Sequence, residues 1–126
     1  MNLSRTYAIV FGVVYLLVGL IGMAVSSTLA IGTLIIFPVN VLHNAVHILA
    51  GLLGIAAFFA GMSVLYSRFM AVLFAILVVA GFLPQPLLGI VPLGGWDILL
   101  HLGTAILGAL AGWVYLNRAS ERPSVA

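Results

Sequence analysis

Two histidines, His43 and His47, stand four positions apart, and Asp97 and His101 repeat that spacing with a carboxylate in place of the first imidazole. On a helix, positions i and i+4 lie one above the other on the same face. A neutral imidazole is a common transition-metal ligand, and two at this spacing can point at a single ion. Together the two segments supply three imidazoles and one carboxylate, a mononuclear set hard enough for zinc, iron, manganese or oxidised copper. Cuprous ion suits it less, because cysteine is absent and Met23, Met62 and Met70 are scattered. Haem held axially by His47 and His101 is a second possibility, although nothing in the sequence reveals room for a macrocycle. The plain alternative is structural. Asp97 would complement the positive amino end of its own helix, His43 would sit at an interface, and His47 and His101 would hydrogen-bond across two packed helices.

Those residues need elements to carry them, and composition says which kind. Of 126 residues, 65% are apolar and 5% charged, a balance that no water-soluble domain of this length buries in one core. The chain therefore reads as an all-α integral membrane protein, a single domain over residues 1–126. Four apolar stretches, about 6–25, 40–60, 68–83 and 96–116, approach the roughly twenty residues that cross a bilayer core of about 30 Å. Pro38 ends the segment before the second stretch, and Asn40 is placed to cap it. The link from Gly61 to Arg68 is expected to be short and to carry one arginine. Pro84-Gln85-Pro86 stops the third stretch, and the tail with Arg118, Glu121 and Arg122 is expected to fray. A cleaved signal peptide could also begin Arg5-then-apolar, but this apolar run is longer than the usual signal core.

Arg5, Arg68, Arg118 and Arg122 fall at the amino end, between spans two and three, and in the tail. An even number of spans puts all of them on one side, which the positive-inside rule makes cytoplasmic, with both termini. The two uncharged connections are then external. His43 and Asp97 lie near the outer face, His47 and His101 about one turn deeper, with Trp96 as an interfacial aromatic. The chain also looks duplicated: Pro38, His43, His47 and Gly54 recur as Pro92, Asp97, His101 and Gly108, each at an offset of 54. Two parallel two-span repeats are related by an axis along the membrane normal, which would bring spans two and four together. Their four polar side chains would then converge.

The opening run Tyr7 to Gly19, the central Val39-Asn40-Val41-Leu42-His43-Asn44-Ala45-Val46-His47 and the late Trp96-Asp97-Ile98-Leu99-Leu100-His101-Leu102 resemble the small bacterial four-span proteins grouped as domain of unknown function 4383. The resemblance covers nearly the whole chain and rests on the Asn-x-x-His-Asn-x-x-His pattern. It implies four spans in a bacterial cytoplasmic membrane and brings no activity with it. Where the family's second element usually reads Asp-Asn-x-x-His, this chain has Ile98 in place of the asparagine.

Remaining features exclude more than they assign. No phosphate loop, no serine or cysteine nucleophile with a base and no carboxylate pair is present, so no enzymatic activity is expected. The four arginines form no dense basic patch, and no nucleic acid is expected as a partner. Gly19-x-x-Gly22, Gly51-x-x-Gly54 and Gly108 to Gly112 suit close helix packing, within the chain or against a membrane-protein partner or a second copy. Asn40, Asn44, Ser26 and Ser27 could line an external polar vestibule. Three functional classes follow: a metal-binding membrane protein, an accessory subunit of a larger membrane complex, and a proton or ion carrier. The last is the weakest, because spans one and three have no ionisable residue in their interiors.

Overall fold

The computed structural model describes residues 2–116, so the tail with Arg118, Glu121 and Arg122 lies outside the described residues. Four helices dominate: α1 (Leu3–Val25), α2 (Val41–Ala60), α3 (Ser63–Gly81) and α4 (Asp97–Ala109), the last continuing as a π-type turn over Leu110–Val114. All four are long and apolar enough to cross a membrane when that turn is counted with α4. They pack as a bundle whose outward surface is apolar along its length, with Val10, Leu17, Phe59, Ile76 and Val79 among the exposed side chains.

Local chemistry sets the ends. Asn2 starts α1 by accepting the Arg5 amide at 2.9 Å, and Asn40 starts α2 by accepting that of His43 at 3.1 Å, as its type and place suggested. At the far end of α2, Gly61 takes a left-handed turn (φ 72°) and Met62 N–H reaches back to Ala57 O. The third helix starts at once, at Ser63, and Arg68 is therefore inside a helix rather than in a link. Hydropathy hid this start because two serines and an arginine interrupt it. The helical spacing is nonetheless there: Ser63, Tyr66, Ser67, Met70 and Phe74 form one buried face.

The first connection is a hairpin, β1 (Gly32–Leu34) against β2 (Phe37–Val39), with Thr33 opposite Pro38. Pro38 thus belongs to a two-stranded ribbon and tolerates it because no third strand needs its amide. The second connection has no strand pair beyond a single bridge between Leu87 and Val91.

Contacts are closest within the pairs α1 with α2 and α3 with α4. Side chains at the crossing points would collide: a Cβ on Gly12 would stand 2.8 Å from Ile55 N, one on Gly54 2.8 Å from Ala8 O, and one on Gly108 2.9 Å from Ser67 O. The glycine faces that could have served a partner helix are consumed inside the chain. Two tyrosines then tie one pair to the other. Tyr7 of α1 donates to Thr104 O of α4 at 2.9 Å, and Tyr66 of α3 donates to Ala50 O of α2 at 2.9 Å. Ala50 and Thr104 are 54 positions apart, as are the buried residues His43 and Asp97, His47 and His101, Gly51 and Ala105, and Gly54 and Gly108.

Candidate metal centre

All four side chains singled out by spacing meet at the end of the bundle away from Arg5 and Arg68. His43 and His47 come from the first two turns of α2, Asp97 and His101 from the first two turns of α4, and each is at most 3% exposed. The His43 and His47 rings stand edge to face at 4.3 Å, and the His101 ring is 6.0 and 6.2 Å from them. One nitrogen from each of the three imidazoles lies within 4.8 Å of the others. Asp97 Oδ2 is 3.4 Å from His43 Nε2 and 3.6 Å from His101 Nε2.

The hydrogen bonds around the cluster fix its chemistry. His43 Nδ1 is 2.7 Å from Pro92 O, and since a carbonyl only accepts, Nδ1 carries the proton. In the neutral ring that leaves the Nε2 lone pair aimed at Asp97 Oδ2, two acceptors that need a proton or a cation between them. His43 Nε2, His47 Nδ1, both oxygens of Asp97 and both nitrogens of His101 have no hydrogen-bond partner among the described residues. Buried polar atoms are ordinarily paired, and leaving one unpaired costs about 1–3 kcal/mol. A set of six in one place is what a network built only for packing avoids.

Aromatic rings floor the site. Tyr15 stands 5.0 Å from His47, Phe74 5.1 Å from His101, and the two are 5.1 Å from each other. Thr104 Oγ1 donates to Leu100 O at 2.9 Å, so its contact with Tyr15 Oη at 2.6 Å is accepted from the tyrosine. Phe74 is fully buried, as are Met70 and Ala8. A groove of about 380 Å³ beside Leu53, Ala57, Tyr66 and Phe69 lies near the opposite end and is apolar.

Above the site, the asparagines expected to line a vestibule are buried braces. Asn44 donates to Ser26 O at 3.0 Å, against Gly22, which has no side chain to obstruct it. Ile98, 54 positions on, packs against Gly81 in the same way but without a polar contact. Asn40 donates to Ile90 O at 2.6 Å and to Leu29 O at 3.3 Å, joining both connections over the cluster. Trp96, by contrast, is exposed at the start of α4.

Comparison with protein families finds one match, the domain of unknown function DUF4383, over residues 5–114. The chain belongs to this family. Comparison with curated proteins and with solved structures finds no match. The matched region holds the four helices save the first two residues of α1, both connections and the whole His/Asp cluster, so the site sits within the part the family defines. Three participants escaped sequence reasoning. Tyr15 and Thr104 look like ordinary core residues until the bundle is closed. The Pro92 carbonyl is a backbone group that no residue type advertises, and the matching position of Pro38 and Pro92 was the one available hint.

Proposed function

We propose that this DUF4383 protein binds one divalent transition-metal ion near the outer face of a bacterial cytoplasmic membrane, through His43, His47 and His101 with Asp97 completing the set. The observation that carries the reading is the placement of Asp97 Oδ2 at 3.4 and 3.6 Å from two imidazole nitrogens. A four-coordinate zinc with bonds of about 2.0–2.1 Å holds its donors about 3.3 Å apart, so the two distances from Asp97 Oδ2 are already close to those of tetrahedral edges. His47 offers the fourth donor, with one of its nitrogens within 4.8 Å of those of the other two imidazoles. The proton that His43 gives to Pro92 O supports the same reading, because metal-bound imidazoles characteristically donate their second N–H to a carbonyl or carboxylate. Zinc, iron(II), manganese(II) and copper(II) suit the donors, whereas the Tyr15 and His43 rings packed against His47 and the Phe74 ring packed against His101 leave no space for a macrocycle between those two histidines.

Orientation follows from Arg5 and Arg68, which share the opposite end. Arg5 rests over Phe58 at 4.4 Å and Arg68 donates to Gly112 O at 2.8 Å, positions that again differ by 54. That correspondence, with the matched burial of α2 and α4, supports two parallel repeats and an arginine-bearing cytoplasmic side. The aromatic floor supports a site that holds an ion rather than passing it on. The role is binding, with no reaction assigned to it.

Elemental analysis of protein purified without a histidine tag tests this. About one equivalent of metal is expected in the wild type and none in His101→Ala. Metal-free protein that also fails to take up added zinc or cobalt overturns it, and favours an accessory subunit whose polar cluster only packs.

A further inference from the structure

We infer that the segment Ile90–Gly94 is the gate through which the ion reaches this site, and that Asn40 is its latch; the inference rests on the metal reading above. The floor of Tyr15, Phe74 and Met70 closes the site from the arginine end, and α1 and α3 flank it. Of the two connections that Asn40 joins over the outer face, the strap Ile90–Gly94 is the one bonded to a ligand ring. Its Pro92 carbonyl receives the His43 Nδ1 proton at 2.7 Å, and its Ile90 carbonyl receives Asn40 Nδ2 at 2.6 Å. Both donors belong to the start of α2, within one turn of the cluster, so the strap is fastened by the residues that begin the ligand-bearing helix. A third bond, Gln85 Oε1 accepting Leu93 N–H at 2.8 Å, moors it to the end of α3. Leu93 and Val39 fill the space beneath, 4% and 1% exposed.

The strap is also built to move. Gly89 (φ 78°) and Gly95 (φ 67°) bracket it, both in the left-handed region and both with open space where a Cβ would be. Glycine leaves and re-enters that conformation without steric cost, so these two residues can act as hinges while Asn40, His43 and Gln85 hold the closed form. Opening the strap exposes the cluster to the outer aqueous phase. An ion arriving at His43 Nε2 strengthens the N–H donor on the opposite side of the same ring, and loading therefore tightens closure.

Cobalt(II), followed by its visible absorption in protein reconstituted into nanodiscs, tests the gate. Asn40→Asp keeps the oxygen that caps α2 and removes the amide that donates to Ile90 O at 2.6 Å and, less closely, to Leu29 O at 3.3 Å. Loss of one such bond is expected to speed cobalt release to excess EDTA about five- to tenfold at unchanged stoichiometry. Gln85→Ala, which frees Leu93 N–H, is expected to act in the same direction and carries the comparison if the first variant does not fold. If the wild type loads one cobalt and both variants release it at the wild-type rate, the gate is overturned while the metal site stands. If the folded wild type takes up no cobalt, the metal reading fails and the gate with it.

Discussion

Helices α2 and α4 bury residues that match at an offset of 54 positions, and they differ in what occupies them. His47 and His101 match, while His43 faces Asp97, Asn44 corresponds to Ile98, Gly51 to Ala105, and Ala50 to Thr104. The backbone correspondence sets where the polar corners meet, and the side-chain differences decide what meets there. Four imidazoles would make a softer, cationic site when loaded. Placing a carboxylate opposite His43 lowers the net charge of a loaded site by one, and in a low-dielectric setting that reduction favours occupancy.

That comparison can be broken at its matched positions first. His47→Ala and His101→Ala each remove one ligand from equivalent turns, and each is expected to lower zinc affinity by more than about a hundredfold, beyond the usual loss for an outer-shell contact. Competition titration against a chromogenic chelator reads this. A large loss in one variant with none in the other would show that the halves do not share one ion. At the mismatch, Asp97→His is expected to retain zinc, because it places a fourth nitrogen there, whereas Asp97→Leu removes a ligand and is expected to weaken zinc binding by more than about a hundredfold, as the histidine variants do.

Packing gives smaller and complementary effects. A Cβ on Gly51 would run into the α1 backbone, with Gly12 O at 2.7 Å, whereas Ala105 already carries one at the corresponding point. Gly51→Ala is expected to destabilise by about 1–3 kcal/mol through overpacking, and Ala105→Gly by about 0.5–1 kcal/mol. Denaturant or thermal unfolding in detergent separates the two. Equal losses would mean that α1 meets α2 at Gly51 no more tightly than α3 meets α4 at Ala105. Smallest are the braces. Tyr7→Phe and Tyr66→Phe each lose a buried hydrogen bond and should cost about 1 kcal/mol apiece, similar in both halves. A cost confined to one tyrosine would show that the two pairs are not held reciprocally.

How far the sequence reaches depends on the physics each feature obeys. Length and hydropathy reveal four crossing helices because a bilayer demands them, and i, i+4 spacing places His43 with His47 and Asp97 with His101 without any tertiary information. Asn40 announces itself as a cap by its type. The start of α3 was hidden, since a helix buries serines and tyrosines on its inner face as readily as leucines and hydropathy cannot distinguish a polar inner face from a link. The hairpin at Gly32–Val39 was hidden too, being short and uncharged on both faces. Least legible was the cover over the cluster, because the acceptors on Ile90 and Pro92 are carbonyls common to every residue.

The reciprocal tyrosines have a further consequence. Each anchors its hydroxyl on the backbone of the opposite hairpin, so residues 1–61 and 62–126, produced as separate polypeptides, would each present a tyrosine hydroxyl without its acceptor. Mixing the two pieces satisfies both hydroxyls at once. The protein is thus suited to reassembly from fragments, with recovery of its compact form requiring both pieces together.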